Sequence, residues 1–279
     1  MRLPCFSFVP LLACVVVPAL RAQDLSFEEY EPRSMLKVPE HPVTRAKFPF
    51  VDAHCHLWGP MLAPDRVDAV VREMDALNMA VMVNLSGGSG DRLERVVTAL
   101  KTPYPDRFVV FATPSFEGID DPDFPARAAA QFERDVRNGA QGLKIFKSLG
   151  FSVTDSAGKR VAVDDPRLDP LWAKAGELGV PVLIHTGDPA AFWLPADKHN
   201  ERWLELKEHP NRRREGEPTF DQLLTEQTNV FRRHPRTTFI GAHFLWLASD
   251  LDRLGQLMDE IPNMVTELGA VIYDPGRQP

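Results

Sequence analysis

The sequence predicts an α/β protein with parallel strands, and two observations lead to this prediction. Short apolar runs recur along the chain, and segments whose apolar residues follow a helical period lie between them. The repeat is about 30 residues long, which is the spacing of βαβ units. Seven such units in succession favour a TIM barrel over a doubly wound sheet. An open parallel sheet, which would need no eighth strand, is the alternative.

The predicted elements alternate from residue 50 onward. The strands are placed at residues 50–58, 80–86, 108–113, 142–149, 181–187, 237–244 and 264–271. The helices are placed at residues 65–77, 91–100, 124–138, 168–178, 220–231 and 249–260. Residues 151–163 are expected to form a hairpin, and residues 188–218 a long insertion. The glycine-rich turn at residues 87–90 lacks the Gly-Lys-Ser/Thr of a P-loop, so we interpret it as a plain turn.

The N-terminal residues predict export. Residues 1–22 have the pattern of a secretory signal peptide, with a nearly continuous apolar run over residues 6–20. That run is short for a membrane span and contains two prolines, which favours cleavage over an uncleaved anchor. Residues 23–49 are polar and rich in proline, as in an extended arm, and residues 50–279 form the predicted barrel domain. A secreted or periplasmic location is therefore expected.

Composition limits the partners and the redox chemistry. Apolar residues make up 44% of the 279 residues, and the net charge is −7, so no basic surface for nucleic acid is expected. We expect a small-molecule substrate and no membrane contact after signal cleavage; homo-oligomerisation stays open. Cys5 and Cys14 lie in the signal peptide, which leaves Cys55 alone and excludes an intrachain disulfide in the mature chain.

The first predicted strand ends in a His-x-His sequence. Alternate side chains on a strand share a face, so Asp52, His54 and His56 are expected to point one way and Cys55 the other. The two histidine Cα atoms would lie roughly 7 Å apart, close enough for both rings to bind one metal ion. Asp52 could accept a ring N–H and orient a ligand. A lone His-x-His also occurs by chance, so the other histidines decide its meaning.

Further polar residues lie at the ends of later predicted strands. His185 ends the fifth strand, His243 the sixth, and Lys144 lies on the fourth. In barrels of this type the carboxyl ends of the strands face one mouth, where function resides. Each residue alone is more simply explained as a loop or core residue, but together they predict a metal site.

Three segments carry a resemblance to a known family. FVDAHCHLW at residues 50–58, VLIHTGDP at residues 182–189 and FIGAHF at residues 239–244 resemble the corresponding segments of the amidohydrolase superfamily. The best match is the amidohydrolase-related branch that includes aminocarboxymuconate-semialdehyde decarboxylase. The resemblance implies a (β/α)8 TIM barrel of the metal-dependent hydrolase type, with one or two divalent metals, zinc being expected.

The resemblance also implies roles for individual residues. His54, His56 and His185 would be metal ligands, and His243 would be a ligand or the catalytic acid/base. Lys144 would bridge two metals if carboxylated, as in binuclear relatives; the alternative, slightly favoured, is a lysine paired with a carboxylate.

Residues on the loops around the predicted mouth are further candidates. Trp58, Asp188, Trp193 and Arg202 are possible substrate-binding residues, and lid packing or turn capping is the structural alternative.

One departure from the family concerns the C-terminus. The family has an aspartate at the end of strand eight, whereas this sequence ends after its seventh strand. Glu267 and Asp274 do not match the missing position, and we expect a barrel truncated before strand eight. Three functions stay open: a metal-dependent hydrolase of amides, esters or lactones acting through a metal-activated water, a metal-dependent non-oxidative decarboxylase of an aromatic or enoic acid, and an inactive metal-binding remnant.

Overall fold

The structure is a computed structural model that describes residues 25–216 and 218–275. The chain divides into two compact units, Met1–Pro42 and Val43–Pro279. In the described part of the first unit, one helical turn, Phe27–Glu29, is the regular structure. The predicted signal peptide, residues 1–22, lies outside the described residues. The division at Pro42 falls seven residues before the arm boundary that the sequence predicted at residue 49.

The second unit is an α/β fold of the TIM-barrel type in which every strand pairing is parallel. The strands are β1 (Phe50–Cys55), β2 (Met79–Asn84), β3 (Phe108–Val110), β4 (Leu143–Ile145), β5 (Val182–Ile184), β6 (Phe239–Gly241) and β7 (Met264–Thr266). They form two sheets, of three strands in the order β1-β2-β3 and of four strands in the order β4-β5-β6-β7. The predicted number and order of strands are confirmed.

The helices lie between the strands, and the longer ones bury one face each. They are α1 (Pro64–Leu77), α2 (Asp91–Lys101), α3 (Phe124–Arg137), α4 (Ser148–Phe151), α5 (Asp169–Leu178), α6 (Trp203–Glu208), α7 (Phe220–Arg233) and α8 (Leu251–Glu260). In α2 the buried residues are Leu93, Val96 and Leu100, the spacing that places side chains on one side of a helix. Trp172 of α5 and Phe132 of α3 are fully buried against the sheet.

The two sheets are joined between β3 and β4. Ala112 and Leu143 form a single parallel bridge there, and the Lys144 amide donates to Ala112 O at 2.7 Å. Gly142 is required at this junction, because a Cβ on it would lie 2.4 Å from the Phe111 ring. The seven strands therefore follow one another as in a barrel.

The barrel is not closed. β1 and β7 are the outer strands and do not pair with each other within the described residues. Val51 on β1 and Val265 on β7 are 56% and 46% exposed, as expected of side chains at uncovered edges. The carboxyl ends of the two strands nevertheless meet, since His54 Nδ1 lies 2.7 Å from Glu267 Oε1.

Several predicted bounds differ from the structure. Strands β3 to β7 have three residues each and are shorter than predicted. The predicted hairpin at residues 151–163 is reduced to one antiparallel bridge between Thr154 and Arg160. The insertion at residues 188–218 contains α6 and two short helical turns. None of the helices within residues 25–216 and 218–275 has the length and hydropathy needed to cross a bilayer.

Candidate metal centre

Four histidines converge at the carboxyl ends of the strands. His54 lies on β1 and His56 directly follows it, His185 follows β5, and His243 follows β6. The loop after β1 is clamped by the buried Asn84 side chain, which accepts from the Leu57 amide at 2.9 Å and donates to its carbonyl. Parallel strands end at one rim, and this brings residues that are far apart in sequence into one cluster.

Three of these histidines form the tightest group. Ring nitrogens of His54, His185 and His243 all lie within 4.8 Å of one another. The His54 and His243 rings stack at 4.6 Å between centroids, and the His185 and His243 rings meet edge to face at 4.5 Å. Nδ1 of His54 and of His243 is hydrogen-bonded elsewhere, which leaves Nε2 of each ring for a ligand.

Glu267, directly after β7, orients this group. Its carboxylate accepts from His54 Nδ1 at 2.7 Å, from the His243 amide at 2.8 Å and from the Gly269 amide. Burial would raise the pKa of Glu267, but these hydrogen bonds lower it to about 2. Asp52, which the sequence predicted as the partner of a ring N–H, instead accepts from the His54 backbone amide at 2.9 Å.

His243 is held by an unusual backbone segment. The four residues from His243 to Trp246 have φ between 54° and 59°, in the left-handed region that is costly for residues with a Cβ. The His243 ring is fixed by a hydrogen bond from Nδ1 to Gly269 O at 2.6 Å. Strain of this kind persists where surrounding contacts over-determine it, often at functional sites.

Three of the four histidines favour the neutral imidazole. The pKa values of His56 and His243 are both lowered to about 4, first by burial and then by the neighbouring His54 and Lys144, with the hydrogen bond to Gly269 acting the other way on His243. The pKa of His185 lies well below its usual value, first because of burial and then because of Lys144. Neutral rings keep a lone pair available, which is the form that binds a metal ion.

Lys144 on β4 is fully buried among these rings. Its Nζ has no hydrogen-bond partner within the described residues and lies 5.2 Å from the centre of the Phe146 ring. Burial lowers the pKa of Lys144 to about 7, against the opposing charge of Glu267. Lys144 thus makes no hydrogen bond to a carboxylate within the described residues, although the charge of Glu267 acts on it, and both predicted roles of Lys144 stay predictions.

The donor set fits a divalent metal ion. His185 Nε2 is buried and has no partner in the part of the chain that the structure describes, a costly state unless a ligand satisfies it. Zinc prefers imidazole ligands at about 2.0–2.1 Å and accepts three histidines with an open fourth position. Glu267 supplies the carboxylate that metal-binding histidines commonly contact with their other nitrogen.

His56 lies beside the group rather than within it. Its ring centre is 5.2 Å from that of His54, and its Nδ1 is 2.9 Å from Ser86 Oγ. The predicted ligand role of His56 and the predicted acid/base role of His243 stay predictions. Cys55, expected to face away, has a pKa raised to about 11 by burial and is therefore a thiol.

Asp188 is buried between two cations. One oxygen accepts from Lys147 Nζ at 2.7 Å, and the other from the Arg214 guanidinium. The Arg214 guanidinium also lies 4.3 Å from the centre of the Phe151 ring. Both carboxylate oxygens of Asp188 are thus engaged by the protein itself.

The other predicted mouth residues have different environments. Trp58 is 53% exposed, with its ring centre 6.2 Å from that of His56. Trp193 donates from Nε1 to Pro218 O. Arg202 pairs with Glu205 and Asp274. Of the two tryptophans, Trp58 is therefore the one whose ring lies next to a histidine of the cluster within the described residues.

Three residues at the site were missed from the sequence: Glu267 as a partner of His54, Ser86 as a partner of His56, and Trp246, whose ring centre is 4.6 Å from that of His243. Ser86 is the last residue of the predicted second strand and Glu267 lies on the predicted seventh, and in the structure they closely follow the ends of β2 and β7. A polar residue at the carboxyl end of an apolar strand was therefore the usable signal.

The fold and the histidine cluster define a barrel of the metal-dependent enzyme type, and comparison with protein families agrees. The family model described as amidohydrolase matches residues 51–277. This chain belongs to the amidohydrolase family. A search of curated proteins found no match.

Solved structures with a similar fold were also found. An uncharacterised TIM-barrel protein from Bordetella bronchiseptica is 15% identical, with 81% of this chain and 75% of that chain covered and a TM-score of 0.48. A 2,6-dihydroxybenzoate decarboxylase is 21% identical, with coverages of 74% and 70% and a TM-score of 0.49. A 4-oxalomesaconate hydratase from Rhodopseudomonas palustris is 13% identical, with coverages of 78% and 74% and a TM-score of 0.50. At these identities the likeness concerns the fold.

Proposed function

We propose that this chain is a metal-dependent hydrolase that cleaves an amide, ester or lactone bond. The observation that supports it most is the group of imidazole nitrogens from His54, His185 and His243 within 4.8 Å at the mouth of the barrel. A divalent ion bound there, with zinc the expected one, would polarise a carbonyl oxygen and lower the pKa of a water molecule to about 7.

Several residues of the site would each have a separate role in the reaction. Glu267 holds the His54 ring in one orientation through Nδ1. The buried Nζ of Lys144 has the position and, when protonated, the charge to stabilise an oxyanion close to the histidines. The neutral ring of His56 or His243, whichever is not a ligand, can accept a proton and return it to the leaving group.

Two ligand sets follow, and they share His54 and His185. The sequence adds His56 as the third ligand and leaves proton transfer to His243, whereas the distances between ring nitrogens favour His243 as the third ligand. Metal analysis of the variants His56→Ala and His243→Ala separates the sets, because removal of a ligand lowers the metal content and removal of an acid/base lowers turnover alone.

The experiment that tests the proposal combines metal content with product analysis. We expect about one ion per chain, its loss in His54→Ala and His185→Ala, and its retention in His209→Ala, whose side chain is exposed. A stoichiometry near two would support Lys144 as a carboxylated bridge. Hydrolysis of amide, ester or lactone substrates that is lost with the metal supports the proposal.

A non-oxidative decarboxylase is the second candidate. It is supported by the resemblance of the His-x-His, strand-five and strand-six segments to the amidohydrolase-related branch that includes such decarboxylases. Release of CO₂ from aromatic or enoic acids without hydrolysis would replace the first proposal with this one. Metal binding without turnover of either substrate set would identify an inactive binding protein.

We also propose that the protein is exported to the periplasm or the medium, on the signal-like pattern of residues 1–22. N-terminal sequencing of the protein recovered from culture tests this. A new N-terminus near residue 23 supports export, and an intact Met1 in the cytoplasmic fraction contradicts it.

A further inference from the structure

Two cavities beside the histidine cluster share one arginine. The smaller cavity, of about 290 Å³, lies among the loops that follow β2, β3 and β4. The larger, of about 620 Å³, lies between the loop after β1 and helix α2. Arg92, at the start of α2, lines both cavities, and so does Ser86. The side chain of Arg92 therefore separates two adjoining spaces at the mouth of the barrel.

The charges that line these cavities are all positive. Among the residues that line either cavity, the charged side chains are Arg92 and Arg95, and neither lining contains Asp or Glu. Arg92 is exposed and has no ion pair or hydrogen bond from its side chain within residues 25–216 and 218–275. By contrast, Arg127 and Arg167 of the same chain are each paired with two aspartates. In a protein of net charge −7, this region is a local exception.

The Arg92 side chain is held in place by the glycine-rich turn. A Cβ on Gly88 would lie 2.6 Å from Arg92 Cδ and 2.8 Å from its Cγ, so the side chain lies directly across this glycine. Gly88 has φ +75°, and its carbonyl accepts from the Thr113 amide at 2.8 Å, which ties the turn to the end of β3. Packing of the Arg92 stem against this turn limits the conformations of the side chain, so less conformational entropy is lost when the guanidinium binds a ligand.

Both cavities adjoin the histidine cluster through His56. Ser86, common to the two linings, lies 2.9 Å from His56 Nδ1 through its hydroxyl. Phe146 of the smaller cavity has its ring centre 5.6 Å from that of His56, and Trp58 of the larger cavity 6.2 Å. Thr113, which lines the smaller cavity, has a buried hydroxyl without a partner in the described chain. A molecule held at Arg92 would thus lie beside Ser86 and, across that hydroxyl, beside the ring of His56.

We propose that Arg92 binds an anionic group of the substrate, and that the substrate is a small organic carboxylate. The planar guanidinium offers two parallel N–H donors that match the two oxygens of a carboxylate. Arg95 adds a second positive charge on the larger cavity. This inference rests on the proposed function and deepens it, because it assigns the substrate class and a binding residue to the same site.

Calorimetric titration of the purified protein with benzoate tests the inference, with benzamide as the uncharged analogue. We expect benzoate to bind and benzamide to bind at least about tenfold more weakly, as for the loss of a charge-assisted hydrogen-bonded pair. Arg92→Gln should weaken benzoate about ten- to a hundredfold. Arg92→Lys, which keeps the charge but loses the fork, should give an intermediate loss. Arg72→Gln, an equal charge change at an exposed position of α1, should leave the affinity as it is.

The outcomes that overturn the inference are distinct. These are no benzoate binding at millimolar concentration, equal binding of benzoate and benzamide, an equal loss in Arg92→Gln and Arg72→Gln, or a preference for phenyl phosphate over benzoate.

Failure of the proposed function looks different. A protein that binds benzoate through Arg92 but holds no metal and shows no turnover would refute the proposed function and leave this inference standing. A metal-loaded, active hydrolase whose benzoate affinity is unchanged by Arg92→Gln would refute this inference and leave the proposed function standing.

Discussion

The carboxylate of Glu267 accepts hydrogen bonds from three separate parts of the site. They are the ring of His54, the backbone amide of His243 and the amide of Gly269. Together these contacts link β1, the left-handed turn after β6 and the segment after β7. A carboxylate with three donors is strongly stabilised in its charged form, which is the cause of its lowered pKa.

Replacing Glu267 by Gln should reduce the stability of the metal-free protein in a pH-dependent way. The pKa of Glu267 is lowered from 4.5 to about 2 on folding, so its contribution is fully present above pH 4.5 and is lost as pH falls towards 2. A difference of that size corresponds to at most about 3 kcal/mol. Urea denaturation from pH 2 to pH 6 should therefore show a gap between wild type and variant that closes in acid.

A surface glutamate provides the control for this measurement. Glu177, whose side chain is 64% exposed and paired with Lys174, should give a small and nearly constant difference when replaced by Gln. Parallel pH profiles for wild type and Glu267→Gln would contradict the role assigned to Glu267. Metal affinity of the Glu267 variant should also fall about 10- to 100-fold, as for other losses of a carboxylate behind a ligand histidine.

At the residue scale the sequence predicted the histidines better than their partners. His54, His185 and His243 were recognised because each ends an apolar strand, and parallel strands end at one rim. Asp52 was predicted to accept a ring N–H from a ligand histidine, whereas in the structure it accepts from the His54 amide and Glu267 lies against the His54 ring. Proximity in sequence favoured the nearer carboxylate, but the Asp52 carboxylate is engaged by the backbone of its own strand.

At the element scale the junction between β3 and β4 depends on the absence of a side chain. Gly142 precedes β4, and its Cα faces the ring of Phe111 so closely that a methyl group would overlap the ring. The junction carries the hydrogen bonds that join the two sheets. Packing across it therefore determines whether the strands follow one another as one curved array.

Gly142→Ala should destabilise the protein by about 1–3 kcal/mol, because the added methyl group forces apart a tightly packed contact. Gly255→Ala is the matched control: Gly255 lies inside α8, and a Cβ there meets nothing within 4 Å. That change should stabilise the protein by about 0.5–1 kcal/mol through helix propensity. Denaturant midpoints of the two variants measure this, and a shift in the same direction for both would refute the assigned packing.

The left-handed turn from His243 to Trp246 was not foreseen from the sequence. FIGAHF was predicted as a strand through residue 244, but β6 ends at Gly241 and the chain then reverses its φ angles. Nothing in local propensity favours positive φ for histidine, phenylalanine, leucine and tryptophan in succession. Contacts that reach His243 from Glu267 and Gly269, more than twenty residues onward, hold the turn.

On the scale of the whole molecule, the open barrel leaves two unpaired edges. Val51 and Val265 project from the outer strands, and Leu268 and Ile272 beyond β7 are also exposed. Uncovered strands with apolar side chains are templates for pairing with another chain. Self-association of this chain is therefore expected to run through β1 and β7.

A lysine at the β7 edge should reduce that self-association. Val265→Lys places a charge on the edge and should change the free energy of unfolding by no more than about 0.5 kcal/mol, because the side chain is already exposed. Leu194→Lys, at an exposed apolar residue away from the strands, is the control. Sedimentation velocity should show less oligomer for the first variant only, and an equal effect of both would argue for general solubility instead of edge pairing.

The sequence by itself determined the alternation of strands and helices, the family, and the histidines that gather at the mouth of the barrel. These follow from local patterns, because side-chain periodicity and the shared direction of parallel strands can be inferred without distant contacts. Tertiary structure decided which carboxylate orients His54, which backbone segment holds His243, and that Lys144 is buried with no hydrogen bond from Nζ to any residue the structure describes. Glu267 is 213 residues from His54 in the chain, and a contact at that separation depends on the curvature of the whole sheet.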